Sequence, residues 1–217
     1  MIDKLTDVYN KWGDDNNLQP LGSADEELLG RENLTKEQRQ WLEKFIEIWK
    51  SFVINELTKI LNSNKIVMQK LPSLRIHPGH TNNSYTTEGS DSGIWANMHK
   101  DSEAPYHHPE FDINFWMPLT DVNLNNTLYV ESEPNYYEPV LLKYGEFLEF
   151  KGNIIKHGGK VYNESKDLRM SLDFRGCAHN DYDESVLEDI PIFVTNKVNK
   201  TQKSWFVIGE YYSLFEG

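Results

Sequence analysis

The chain has 217 residues and a formal net charge of −12, from 34 acidic and 22 basic side chains. A surface this acidic repels a phosphate backbone, which argues against nucleic acid as a partner. Hydrophobic residues make up 38% of the chain and aromatic residues 12%, which is enough apolar material for a packed core and too much for a disordered chain.

The sequence contains no segment that predicts a membrane span or export. The longest mostly apolar stretch, residues 45–61, is interrupted by charged and polar side chains, so it is too polar to cross a bilayer. The N-terminus lacks the basic and apolar regions of a signal peptide. A single cysteine, Cys177, excludes an internal disulfide. These features predict a cytoplasmic protein without a membrane partner.

Residues 1–65 are predicted to form a helical region that packs on the remainder of the protein. Thr35-Lys-Glu-Gln38 has the form of a capping box, which predicts a helix start. Apolar residues follow at three- and four-residue spacing, which favours a helix packed on a sheet over a partner-binding groove. They are Trp41, Phe45, Ile48, Trp49, Phe52, Val53, Leu57, Ile60 and Leu61. Shorter helices are predicted at residues 2–12 and from the weaker capping box at 23–26.

From about Ile66 the pattern changes to short β-prone runs separated by Gly, Pro, Asn and Asp. Many short strands at this spacing predict an antiparallel sandwich or barrel over residues 66–217. The predicted strands are 74–77, 112–119, 127–131, 140–142, 147–150, 169–175 and 203–207. Residues 195–201 are mostly polar and are predicted to be an exposed connection.

The 169–175 strand has one apolar and one polar face. Met170, Leu172 and Phe174 alternate with four polar residues, Arg169, Ser171, Asp173 and Arg175. In a barrel covered by helices, the apolar face packs beneath the helices and the polar face lines a pocket. An edge strand with a solvated polar face is the alternative interpretation.

Three segments place a carboxylate two residues after a histidine: His99-Lys-Asp101, His108-Pro-Glu110 and His179-Asn-Asp181. On an extended segment the two side chains project to the same side and can offer two ligands to one metal ion. His157, which follows a predicted strand and turn, is the candidate third ligand for the first pair. Two imidazoles and one carboxylate are the facial ligand set of non-haem Fe(II) oxygenases.

The other histidines are weaker candidates. No histidine follows His179 to complete a ligand set, and the proline in His108-Pro-Glu110 suits a turn. His107 and His108 are interpreted as part of a loop beside the pocket. His77 and His80 flank Pro78-Gly79 and are interpreted as turn residues.

The order of these residues is similar to that of a known family. His157 follows Asp101 by 56 residues, and Arg169-Met-Ser171 begins twelve residues after His157. This order resembles the His-x-Asp, His and Arg-x-Ser motifs of the Fe(II)- and 2-oxoglutarate-dependent oxygenases, over roughly residues 70–176. The ending at 163–175 resembles the branch of phytanoyl-CoA hydroxylases and streptomycin-biosynthesis oxygenases. The family fold is a double-stranded β-helix, a cupin-like jelly-roll barrel with helices packed on one sheet.

The resemblance implies a ligand set and a reaction. His99, Asp101 and His157 would hold Fe(II), and the enzyme would hydroxylate a small-molecule substrate with O₂, converting 2-oxoglutarate to succinate and CO₂. Arg169 would bind the distal carboxylate of 2-oxoglutarate, with Ser171 as a hydroxyl donor. A guanidinium offers bidentate, charge-assisted hydrogen bonds to a carboxylate, which suits this role.

Several assignments stay open at the level of sequence. Asn114 and Tyr129 are predicted to line the cavity and to contact co-substrate or substrate. Arg175 competes with Arg169, but six residues of strand separate the two by about 20 Å, too far for both to bind one 2-oxoglutarate. Arg175 is therefore expected near the other end of the barrel, paired with Asp173 or another carboxylate. A cupin-like sugar isomerase or epimerase and a non-catalytic ligand-binding jelly roll are the alternative functions.

Overall fold

The computed structural model describes residues 36–77, 79, 95–103, 106–160, 163, 165–187, 190–194, 197–202 and 206–217. The predicted helices at 2–12 and 23–26 lie outside the described residues, and so do Thr35 of the capping box, His80 and residues 203–205 of the last predicted strand.

One long helical segment precedes the strands. It consists of α1 (Lys36–Phe52), a wider π-helical turn (Val53–Leu57) and a last short turn, α2 (Thr58–Ile60). The predicted amphipathic helix is thus confirmed along this stretch. No helix in the described part of the chain is long and apolar enough to cross a membrane.

The buried face of this helical segment is narrower than the predicted stripe. Trp49, Val53 and Leu57, spaced four residues apart, are fully or almost fully buried, whereas Ile48 and Ile60 are each 40% exposed. Only one side of a helix can face a sheet, so the residues at the margin of the apolar stripe remain in solvent.

The fold is mainly β, with antiparallel strands. The twelve strands in the described residues are β1 (Lys65–Gln69), β2 (Ser73–His77), β3 (Trp95–His99), β4 (Ile113–Pro118), β5 (Tyr129–Glu133), β6 (Tyr136–Pro139), β7 (Leu148–Phe150), β8 (His157–Lys160), β9 (Arg169–Ala178), β10 (Ile190–Val194), β11 (Lys197–Gln202) and β12 (Tyr212–Glu216).

These strands form three separate sheets rather than one closed barrel in the described structure. The largest has the order β12-β1-β9-β4-β7, and β2 also pairs with β9, beside β1. A four-stranded sheet has the order β3-β8-β5-β6, and β10 pairs with β11 in a ribbon. Successive strands from β2 to β9 alternate between the two larger sheets, except for the β5-β6 hairpin.

The apolar face of strand β9 packs against helix α1. This face bears Met170 and Phe174, each 1% exposed. The Phe174 ring packs edge-on against Trp49 of α1 at a centroid distance of 4.9 Å, and stacks on Phe115 of β4 at 5.2 Å. The predicted packing of this apolar face beneath a helix is confirmed, and the polar face of β9 points to the opposite side of its sheet.

Two of the strand predictions are wrong. Residues 197–202, within and next to the predicted connection, form β11, which pairs with β10 through its backbone. Backbone pairing does not require apolar side chains, so polarity alone is a poor guide in a ribbon. Residues 140–142 are not a strand. The strand in this region, β6, lies just before them, after a tight turn in which Asn135 has a φ of 65°.

Candidate metal centre

Two neighbouring strands bring together the three residues predicted as metal ligands. His99, at the end of β3, lies directly opposite His157, the first residue of β8. Asp101 follows β3 by two residues and is fully buried. Its Oδ1 lies 3.2 Å from His99 Nε2 and 3.6 Å from His157 Nε2.

The spacing of these donor atoms fits one metal ion. All three lie within 4.8 Å of one another, and no other group of three or more potential ligands occurs in the part of the chain that the structure describes. Ligand atoms bound at about 2.1 Å and at right angles to one another lie about 3 Å apart. Two imidazole nitrogens and one carboxylate oxygen would occupy one face of a six-coordinate metal ion and leave its other three positions open.

The His157 imidazole is oriented and kept neutral by its surroundings. Its Nδ1 lies 3.0 Å from the Ile155 carbonyl oxygen, to which a protonated Nδ1 donates. This tautomer leaves the Nε2 lone pair directed at the cluster, as metal-bound histidines usually require. Burial lowers the pKa of His157 to about 4, so the imidazole is neutral and able to bind a cation at pH 7.

The second carboxylate oxygen of Asp101 is held by two side chains from the larger sheet. Asn114 Nδ2 of β4 donates to Oδ2 at 2.5 Å, and Arg175 Nε of β9 donates to the same oxygen at 2.8 Å. Burial by itself would raise the Asp101 pKa, but Arg175 and the nearby histidines outweigh it and hold the pKa well below its usual range. The carboxylate is therefore ionised and presents only Oδ1 to the cluster.

A glycine closes a ring of hydrogen bonds around Asp101. The Asp101 backbone N–H donates to the Gly152 carbonyl at 2.8 Å, and the Gly152 N–H donates to Asn114 Oδ1 at 3.2 Å. Asn114 completes the ring through its bond to the Asp101 carboxylate. The turn at residues 152–155 thus orients two candidate ligands, Asp101 through Gly152 and His157 through the Ile155 carbonyl.

Gly152→Ala is expected to weaken metal binding, because a Cβ at this position would lie 2.6–2.7 Å from the side-chain atoms of Asn114. That clash displaces the amide from Asp101, and the loss of an outer hydrogen-bond partner of a metal ligand typically lowers metal affinity about 10–100-fold. Mn(II) titration measures the effect. In an Asn114→Ala background the same glycine substitution should have little further effect, and an undiminished effect there would contradict this mechanism.

The predicted co-substrate residues lie further along the polar face of β9. Arg169 opposes His77 of β2, and Ser171 opposes Arg75 in the same pairing. The Arg169 Nε and the Ser171 Oγ are buried and have no hydrogen-bond partner in the described structure. Burial and the charge of Arg75 lower the pKa of Arg169 to about 10, although Asp173 opposes them. This part of the polar face of β9 therefore has buried donors without a partner among the described residues, and two guanidinium groups near one carboxylate, Asp173.

The structure contradicts the expected location of Arg175. It does not lie away from the metal ligands, since its guanidinium contacts Asp101 directly. Its pairing with a carboxylate agrees with the sequence prediction, but the partner is Asp101. Asp173 pairs instead with Arg75, whose Nε lies 2.6 Å from the Asp173 Oδ2.

Asn114 and Tyr129 are both buried, and the side chain of each is already hydrogen-bonded within the protein. Asn114 binds Asp101 and Gly152, which makes it a support of the ligand set. Tyr129 opposes Gly158, next to His157, and its hydroxyl donates to the Leu124 carbonyl at 2.7 Å.

The other two segments with a carboxylate two residues after a histidine do not contribute to this cluster. His108 Nδ1 lies 3.1 Å from Asp112 rather than binding Glu110, and His179 and Asp181 form a short 3₁₀ turn. Sequence reasoning missed Gly152 and the contact from Arg175. A glycine five residues before the candidate ligand His157 was the available signal for Gly152. The contact from Arg175 depends on tertiary packing.

Comparisons with known proteins cover part of the chain. No protein-family model matches it. Over 118 residues, 54% of the chain, it is 32% identical to "Streptomycin biosynthesis protein StrG" of Streptomyces griseus, and the chain spans about half the length of that relative (50%).

Among solved structures, the chain is similar at 14% sequence identity to a non-haem monooxygenase, ThoJ, in an apo form and a nickel complex. The apo form gives a TM-score of 0.41, with 58% of this chain and 51% of that chain covered. The nickel complex gives 0.38, with 58% and 49% covered.

Proposed function

We propose that the protein is a non-haem Fe(II) oxygenase that uses 2-oxoglutarate and O₂ to hydroxylate a small molecule. The observation that carries this proposal is the cluster of His99 Nε2, Asp101 Oδ1 and His157 Nε2 within 4.8 Å. The donor set fits Fe(II), and its facial arrangement is typical of this enzyme class.

The strand order supports the corresponding fold, a double-stranded β-helix. In such a jelly roll, strands alternate between two facing antiparallel sheets. Strands β2, β9, β4 and β7 are hydrogen-bonded neighbours in one sheet, and β3, β8, β5 and β6 in the other. The candidate ligands come from the smaller sheet, and the side chains that hold Asp101 come from the larger one, so the site lies between the two.

Each residue around the cluster then has a defined part in binding. His99, Asp101 and His157 would hold the iron, while Asn114 and Arg175 fix the carboxylate so that one oxygen faces the metal. Bound Fe(II) would supply O₂ activation and, with 2-oxoglutarate, the oxidation of a substrate carbon with release of succinate and CO₂. Asp101 is fully buried, which shields its carboxylate from water.

Arg169 and Ser171 are the proposed binding residues for 2-oxoglutarate. Their buried donors have no partner among the described residues, and unsatisfied buried polar groups are costly unless a ligand completes them. Arg75 and Arg169 share one carboxylate, Asp173, and the surplus positive charge suits the distal carboxylate of a dicarboxylate.

A relative named for streptomycin biosynthesis supports a small molecule, rather than a macromolecule, as the substrate. The net charge of −12 agrees with this, because it disfavours nucleic acid.

The test is 2-oxoglutarate turnover by the intact protein. Protein loaded anaerobically with Fe(II) is exposed to O₂ and 2-oxoglutarate, and succinate is quantified by NMR. We expect succinate formation that stops when Zn(II), which has no redox chemistry, occupies the site. Metal binding without succinate release would favour the cupin-like isomerase or epimerase, and a protein that binds no metal would favour the non-catalytic jelly roll.

A further inference from the structure

The turn at residues 151–155 and the loop at residues 101–112 are joined by one side chain. Asn153, the third residue of the turn, is 5% exposed. Its Nδ2 donates to the Pro109 carbonyl at 2.6 Å and lies 3.4 Å from the Asp112 carbonyl oxygen. Both partners are carbonyl oxygens, so only the nitrogen of the amide can face them. The Asn153 side chain therefore connects the turn to the far end of the loop.

These two segments set the positions of two candidate metal ligands. Asp101 is the first residue of the loop, and the turn leads into His157, whose Nδ1 lies 3.0 Å from the Ile155 carbonyl oxygen. The turn is itself closed by hydrogen bonds from the Ile154 and Ile155 amides to the Lys151 carbonyl. Because the turn is closed in this way, a shift of the loop relative to it changes the separation of Asp101 and His157.

Two further contacts join the segments at the near end of the loop. The Asp101 backbone N–H donates to the Gly152 carbonyl at 2.8 Å. The Ser102 Oγ donates to the Asn153 carbonyl at 2.6 Å. Asn153 thus accepts a hydrogen bond beside Asp101 and donates one at Pro109, so it holds the loop at both ends.

The middle of the loop is strained and depends on contacts at its ends. His107 has a φ of 50°, a left-handed conformation that is costly for a residue other than glycine and persists where the surrounding contacts determine it. On one side of it, the centroid of the Tyr106 ring lies 4.3 Å from that of the His99 ring. On the other side, the His108 N–H donates to the Asp101 carbonyl at 2.9 Å. If the far end of the loop is released, the strain can relax by moving the backbone next to Asp101.

We propose that Asn153 is a positioning residue of the metal centre. It holds the loop against the turn and so fixes the separation of Asp101 and His157 that one metal ion requires. The proposal rests on the proposed function only in that the cluster binds a metal ion. The Asn153 Oδ1 is buried and has no hydrogen-bond partner in the described structure, a cost that a side chain with only a space-filling role would avoid.

The first measurement is Mn(II) affinity by calorimetry. Asn153→Ala removes the hydrogen bond to Pro109, and we expect affinity to fall about 5-fold, as for the loss of one neutral hydrogen bond. Asn153→Asp restores the volume but places a carboxylate against two carbonyl oxygens, so it should bind Mn(II) no better than Asn153→Ala. Full affinity in Asn153→Asp would show that only packing matters at this position and would overturn the proposal.

Asn126→Ala is the matched control. Asn126 is 2% exposed, and its side chain bonds to Asn123 and Ser165, neither of which lies in the loop or the turn. The variant loses a buried amide, as Asn153→Ala does, so its stability to urea should fall while its Mn(II) affinity stays that of the wild type. An equal loss of affinity in the two variants would overturn the proposal.

The second measurement is amide hydrogen exchange in the loop. Coupling between metal binding and closure of the loop is reciprocal, so saturation with Mn(II) should slow exchange of the Asp112 amide, which donates to the Pro109 carbonyl. The slowing should be reduced in Asn153→Ala. A purely structural role for Asn153 would raise the exchange rate equally with and without metal, and that result would overturn the positioning role.

Ser102→Ala is an independent variant that decides the question even if Asn153→Ala does not fold. Ser102 is exposed and provides the other side-chain hydrogen bond between the two segments, so its loss should lower Mn(II) affinity about 3-fold. If the wild-type protein binds Mn(II) and the Asn153 and Ser102 variants bind it equally well, the positioning role is overturned and the proposed function stands. If the wild-type protein binds no divalent metal, the metal centre itself is overturned and the positioning role with it.

Discussion

His157→Ala is expected to abolish Fe(II) binding and, with it, all succinate release from 2-oxoglutarate. The substitution removes one of three protein ligands, so the loss should exceed the roughly 100-fold that removal of an outer hydrogen-bond partner causes. The fold should persist, because the hydrogen bond from the His157 side chain goes to Ile155 of the same turn. Iron content after anaerobic loading and succinate release are the two measurements.

His179→Ala is the matched control, since His179 lies in a 3₁₀ turn outside the ligand cluster. It should leave iron content and turnover unchanged. A His157→Ala protein that retains iron and turnover would show that the third ligand has been assigned wrongly.

Asp101 is less suitable for this experiment than either histidine. Asp101 is fully buried, and Arg175 is almost so. Removing the carboxylate would leave a buried guanidinium without its partner, a change that typically costs about 3–5 kcal/mol of folding stability. Loss of iron in an Asp101 variant would then be mixed with loss of the folded state.

The elements that could be predicted from the sequence are those in which burial imposes a regular pattern of apolar side chains. The helix over α1 and the π-helical turn follows from apolar spacing, and the alternation in residues 169–175 correctly placed Phe174 beneath a helix. Strands that lack a clear β-type side-chain pattern were missed. His157–Lys160, with two glycines, has weak β-propensity and is a strand because β3 and β5 pair with it on either side.

The candidate ligands were accessible from sequence because His99-Lys-Asp101 is a local pattern, and because the order of His157 and Arg169 after it resembles that of a known family. The location of Arg175 was not. Arg169 and Arg175 lie on one strand face, and nothing in the strand itself says which end approaches Asp101. That is decided by the pairing of β9 with β4, which sets Arg175 opposite Asn114.

Arg169→Ala is expected to weaken 2-oxoglutarate binding by about 30-fold to several thousand-fold while leaving metal binding unchanged. Loss of a charged partner to a carboxylate in a partly desolvated pocket costs about 2–5 kcal/mol, and about 1.4 kcal/mol corresponds to each decade of affinity. Arg169 can fill this role because its Nε has no partner in the described structure. Arg175 cannot do so in the same way, because Asp101 already engages it.

Calorimetric titration of 2-oxoglutarate into Mn(II)-saturated protein measures this affinity without turnover. The variant should remain folded, because Asp173 keeps its ion pair with Arg75 after Arg169 is removed. Arg75→Gln is the matched control, since it removes the other cation that shares Asp173 and should have a smaller effect. If the Arg75 variant loses affinity and the Arg169 variant does not, the distal carboxylate binds on the β2 side of the pocket. The assignment of Arg169 must then be abandoned, although the His99, Asp101 and His157 ligand set would be unaffected.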